Sequence, residues 1–103
     1  MMNEEQGVCC ARIAAHYGVM QLNVCVEELA ELQQVICKAI RMNGHGKSVR
    51  KTGAEIRAGI IEEMADVRIM LEQVRLIMNI SYQEISAVMD QKIERTLRQM
   101  ERK

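Results

Sequence analysis

The chain has 103 residues, 49% of them hydrophobic, and sets 14 Lys+Arg against 14 Asp+Glu for a formal net charge of zero. That balance argues against a general nucleic-acid binder and against an acidic disordered tail. Phe, Trp and Pro are absent and only two Tyr occur, which excludes the aromatic strands and Pro-bearing turns of a β-sandwich and leaves an all-α chain, one domain over residues 1–103.

The start, Met1-Met2-Asn3-Glu4-Glu5, is acidic and lacks the basic and apolar regions of a signal peptide. No apolar run approaches the ~20 residues that span a bilayer. A cytoplasmic protein without membrane contact is expected. Cys9, Cys10, Cys25 and Cys37 then read as reduced thiols, mostly small buried side chains. Cys9, Cys10 and His16 fit no standard zinc spacing.

Four helices follow in chain order. The first runs from about Glu4 to Tyr17 and stops at Gly18, a natural C′ residue. The second runs from about Val19 to Met42 and stops at Asn43-Gly44. The third starts after the capping box Thr52-Gly-Ala-Glu55 and reaches about Met78. The fourth starts at a second capping box, Ser81-Tyr-Gln-Glu84, and runs toward Lys103. Asn43 to Lys51, Gly-rich and basic, is the one sizeable loop. An antiparallel four-helix bundle is expected.

An advance of about 100° per residue places the faces. Helix two gathers Leu22, Cys25, Leu29, Leu32, Ile36 and Ala39. Helix three gathers Ile60, Met64, Val67, Leu71, Val74 and Met78, and carries a second apolar set, Met70 and Ile77, about 90° away. Helix four gathers Ile85, Val88, Met89, Ile93, Leu97 and Met100. A helix apolar on two sides wants neighbours on two sides, so a homo-oligomer, dimer or tetramer, is expected.

Two acidic clusters break the pattern: Glu27-Glu28-Leu29-Ala30-Glu31 and Glu62-Glu63-Met64-Ala65-Asp66. Residues three or four apart share a helix face, and like charges there cost ~0.2–0.5 kcal/mol per pair. Neither cluster lies at a helix N-terminus, where the macrodipole would compensate. Glu28 and Glu31 lie beside the apolar stripe of helix two. Glu63 and Asp66 lie between the two apolar sets of helix three, with Glu62 further round. Antiparallel packing makes Glu28, Glu31, Glu63 and Asp66 converge, and four unpaired carboxylates do not stay ionised away from water. A hard divalent cation, Mg²⁺ or Mn²⁺, resolves the conflict. The plainer alternative is two solvated faces of an ordinary bundle. A di-iron centre is disfavoured, because neither cluster has the Glu-x-x-His it requires.

The E-x-x-E of Glu28–Glu31 followed by the E-x-x-D of Glu63–Asp66 resembles the signature of MazG-like nucleoside triphosphate pyrophosphohydrolases, of the all-α NTP pyrophosphatase superfamily. The likeness covers roughly Val19 to Met78. With 31 residues between Glu31 and Glu63, the loop is slightly longer than the likeness leads one to expect. The resemblance implies Mg²⁺-dependent hydrolysis of a nucleoside triphosphate between the α and β phosphates, giving a nucleoside monophosphate and pyrophosphate. In that reading Glu28, Glu31, Glu63 and Asp66 hold the metal. Glu31 and Glu63 are equal candidates for accepting the proton of the attacking water. Lys47, Arg50 and Lys51 on the loop, and Lys92 and Arg95 on helix four, are candidates for the remaining phosphates, with ordinary solubilising charge as the alternative. Arg68 and Lys38 are placed to pair with the carboxylates. His16, Tyr17, Asn23 and Tyr82 are possible base contacts.

Gly46-Lys47-Ser48 looks like the end of a P-loop, but Arg41 stands where that motif needs Gly and a helix precedes it in place of a strand. Two other functions remain open: a non-catalytic helical interaction protein with a degenerate acidic patch, and a phosphoribosyl-ATP pyrophosphohydrolase.

Overall fold

A computed structural model describes residues 2–45 and 52–102, with the side chains of 43–45 left aside. Four helices and no strand occur among them: α1 (Glu4–Tyr17), α2 (Met20–His45), α3 (Gly53–Ile77) and α4 (Tyr82–Glu101). None is long and apolar enough to cross a membrane.

The helix starts are written locally. Both expected capping boxes form: Thr52 with Glu55 at 2.9 and 3.2 Å, and Ser81 with Glu84 at 2.8 and 3.1 Å. A third, between Asn3 and Gln6, opens α1 at 3.0 and 2.8 Å. Each satisfies two amide donors that the helix cannot. Gly18 ends α1 at φ 62°, a left-handed geometry that costs glycine nothing. Its amide caps Ala14 O at 2.8 Å. The second helix outruns its expected end and carries Asn43 and Gly44 as far as His45. A glycine in a helix costs only about 1 kcal/mol relative to Ala, too little to force a stop.

Helices α2 and α3 pack closely, and α1 lies mainly on α3. The core between them holds Cys10, Ala14, Cys25, Ile56, Val67 and Met70. It also holds a buried polar pair, Gln21 Nε2 donating to Gln73 Oε1. Gln73 is the most deeply buried large side chain, 1% exposed.

The stripes are placed differently from expectation. On α3 the side turned into the core carries Ile56, Val67, Met70 and Gln73, so the core face takes Val67 from the major apolar set and Met70 from the minor one. Met64, Leu71 and Met78 are about half exposed, at 51%, 50% and 56%. On α2, Leu29 and Ile36 are exposed likewise. Gly59 supplies a physical reason. A Cβ built there would sit 3.3 Å from Val35 Cγ2, so the missing side chain lets α2 approach on this side. Cys10 and Cys25 are buried as expected, but Cys9 and Cys37 are exposed; all four thiols are free.

The four-helix bundle does not close within one chain. Among the described residues the backbone of α4 packs closely against none of the other helices, and Tyr82 at its start reaches α3 by its side chain. Every α4 residue is exposed, including the whole stripe from Ile85 to Met100. Its direction is set at the elbow after α3. There Asn79 takes φ 56°, which asparagine tolerates. Ile80 N donates to Arg75 O at 2.9 Å and Asn79 N to Leu76 O at 3.2 Å, the paired bonds of a Schellman stop. The Arg75 side chain then fastens the turn. It grips Glu72 with Nε and Nη2 at 2.9 and 2.6 Å, and gives Nη1 to Ile80 O at 2.9 Å. Tyr82 donates its hydroxyl to Glu72 Oε1 at 2.6 Å.

Candidate functional site

The close packing of α2 on α3 brings the two acidic clusters together. One carboxylate oxygen each of Glu28, Glu31 and Glu63 lie within 4.8 Å of one another. The same holds for Glu62, Glu63 and Asp66, so Glu63 belongs to both groups. Glu28, Glu63 and Asp66 are half-buried; Glu31 and Glu62 are exposed. Glu28, Glu31 and Glu63 of the expected quartet are thus brought together, while Asp66 joins Glu63 in the second group beside Glu62. Glu62 is exposed, in keeping with its expected place further round the helix.

The electrostatics are those of carboxylates crowded together with no ion-pair partner among the described residues. Burial, followed by the charges of Glu31, Asp66 and Glu63, pushes the Glu28 carboxyl above its ordinary range. Glu63 is raised in the same way, by burial first and then by Glu31 and Asp66. One oxygen of each, Glu28 Oε2 and Glu63 Oε2, is buried with no hydrogen-bond partner. The ion pairs among the described residues are Arg75–Glu72 and Arg98–Glu94. Lys38 and Arg68 make none with the clusters.

The donor set is all carboxylate oxygen, mounted on two helices, with two orphan oxygens pointing nowhere else. That set fits a small hard divalent cation. It does not fit zinc or iron of the histidine-bearing kind, since neither His nor Cys joins any such group among the described residues.

The expected phosphate contacts divide. Lys47, Arg50 and Lys51, like the Gly46-Lys47-Ser48 string, lie outside the described residues. Lys92 and Arg95 lie on the solitary α4, in a shallow basic concavity built from that helix alone with Arg98 and Arg102. They are not brought to the carboxylates of their own chain. The base contacts also scatter. Tyr82 is committed to Glu72 and Arg75. Tyr17 is exposed and meets His16 edge-on at 4.6 Å.

Sequence reasoning missed the elbow. Glu72 is 7% exposed, and its carboxyl is held below its ordinary range by the Arg75 bonds, then by the Tyr82 hydroxyl. The signal was present as a Glu and Arg three residues apart at a helix end. Comparison of the chain with protein-family models, with curated proteins and with solved structures finds no match.

Proposed function

We propose that the chain is a Mg²⁺-dependent nucleoside triphosphate pyrophosphohydrolase of the MazG-like kind, cleaving between the α and β phosphates. The observation that carries the reading is a buried, unpartnered oxygen on each of Glu28 and Glu63, two residues whose carboxylates come within 4.8 Å of each other across α2 and α3. Their raised proton affinity marks carboxylates that burial and mutual repulsion disfavour when ionised. Glu28, Glu31, Glu63 and Asp66 would hold the ion, with Mn²⁺ as a substitute, and Glu62 would border them. Magnesium supplies charge neutralisation for the triphosphate and Lewis acidity at the scissile phosphoryl group.

The chain's own contribution is positional. Rigid helices fix the carboxylates before substrate arrives, so little reorganisation is needed. Glu31 or Glu63 takes the proton of the attacking water, the task of a general base. A homo-oligomer in the cytoplasm belongs to the same reading, because the three-helix body and α4 both leave apolar faces open.

The test is incubation of purified chain with Mg²⁺ and a panel of ribo- and deoxyribonucleoside triphosphates, with phosphoribosyl-ATP included. Release of nucleoside monophosphate and pyrophosphate is expected. Failure to release either from every substrate, at high enzyme concentration, removes the activity and leaves the helical interaction protein as the reading.

A further inference from the structure

Met2 stands immediately before Asn3, the cap of α1. An apolar residue at that place commonly packs against the fourth residue of the helix. Here the fourth residue is Gly7, which has no side chain to offer. Met2 reaches past it, and its Sδ lies 3.7 Å from Cys10 Sγ. Cys10 is only 5% exposed, and the carboxylate site makes no use of its thiol.

Both residues line a cleft of about 540 Å³ between α1 and α3. Cys9 lines the same cleft, so three sulfur-bearing side chains border it. Arg68 of α3 lines it too, and makes no ion pair among the described residues. Among those residues neither a carboxylate nor an imidazole borders the cleft. Two thiols and a thioether without a carboxylate are a soft donor set.

We infer that Met2, Cys9 and Cys10 form a binding site for a soft monovalent cation, Cu(I), in the cleft between α1 and α3. Three sulfurs fall short of the four ligands of a structural zinc site or of an iron–sulfur cluster. Thiolate with thioether is the set that selects Cu(I). Binding exchanges two S–H bonds for two S–Cu bonds, releases both protons to solvent and leaves the copper as Cu(I). The Met2 thioether adds a third, neutral donor. Two thiolates exceed the charge of a monovalent ion by one, and the Arg68 guanidinium supplies the opposite charge beside them. Without the ion, burial first and then the charges of Glu72 and Cys9 push the Cys10 thiol up, which keeps it protonated and unreactive. The site shares no ligand with the acidic clusters, so it stands whether or not the carboxylates hydrolyse anything.

The experiment titrates the full chain with Cu(I), under reductant and without oxygen, against a chromogenic Cu(I) chelator. The wild type is expected to retain one ion per chain, and X-ray absorption at the copper edge to show sulfur neighbours only. Cys9→Ser and Met2→Leu leave the core intact, since Cys9 is exposed and Leu is close to Met in volume. Cys9→Ser is expected to weaken retention about 100-fold, and Met2→Leu and Arg68→Gln about tenfold each. Cys37→Ser, at the exposed thiol of α2, is expected to change nothing. Failure of the wild type to hold copper against the chelator overturns the proposal. So does retention that Cys9→Ser leaves untouched or that Cys37→Ser abolishes, and so does nitrogen or oxygen in the copper shell.

Discussion

The guanidinium carbon of Arg75 lies 3.8 Å from the centroid of the Tyr82 ring, joining the last turn of α3 to the first residue of α4. The same guanidinium spends three of its donors on Glu72 and Ile80. Stacking and hydrogen bonding thus act on one planar group, which only arginine provides.

Loosening that joint should weaken assembly before it weakens the body. Arg75→Lys keeps the charge and loses the fork and the stack. A subunit dissociation constant at least about tenfold higher is expected, since an α4 without a fixed direction pays ordering entropy when subunits associate. Tyr82→Phe removes the hydroxyl bond to Glu72 and keeps the ring, so a smaller shift is expected. Sedimentation of both variants beside the wild type checks the order. An Arg75→Lys assembly as tight as the wild type would show that the joint is ornamental.

The carboxylate cluster predicts a trade between activity and stability. Glu28→Gln and Glu63→Gln each remove a crowded charge that burial already disfavours. Each is expected to raise the metal-free melting temperature and to lower pyrophosphate release by about 100-fold or more. Melting curves and turnover assays on the same preparations decide it. A variant that loses both stability and activity would place the residue in the scaffold.

The pH dependence has two opposing limbs. Glu28 and Glu63 have raised proton affinity in the folded chain, so the stability they contribute is present at low pH and is lost as pH rises through their folded values. Glu72 and Glu84 are lowered, chiefly by the Arg75 bonds and the Ser81 cap respectively. Their stability is present above the ordinary carboxylate range and lost as pH falls below it. A maximum in mildly acidic buffer is expected without metal. Saturating Mg²⁺ should shift it toward neutrality, because the ion binds the ionised form. Thermal melts across pH, with and without Mg²⁺, measure the shift. Identical profiles would exclude binding at these acids.

The buried amide pair predicts a non-additive cycle. Gln73→Leu alone strands the Gln21 side chain in the core, at a cost of about 1–3 kcal/mol. The double variant Gln21→Leu with Gln73→Leu strands nothing and is expected to recover most of that loss. Chemical denaturation of the four chains gives the coupling energy directly.

Much of the fold was legible because it is written in local chemistry. Two of the three capping boxes, the Gly18 stop and the four helices follow from residues close in sequence. The meeting of Glu28 and Glu31 with Glu63 was legible for the same reason: spacing along each helix fixes a face. What was hidden depends on contacts distant along the chain. The stripe of Met64, Leu71 and Met78 reads as core by periodicity. The chain turns it outward because Gly59 admits α2 on another side. Hydropathy cannot distinguish a face that meets its own chain from one left open. The basic residues Lys92 and Arg95 could be placed on a face of α4, but not relative to the acids, because the elbow sends that helix elsewhere.

Gly59 bears no functional group, yet its missing side chain lets Val35 of α2 come close to α3 beside the acids. Its backbone is the wall that Val35 leans on, with room for no further carbon until that side chain yields a few tenths of an ångström. Ions of differing radius ask for different spans between their oxygens. Discrimination among them could therefore be retuned from residue 59, one turn of helix away from Glu63, with every ligand left in place.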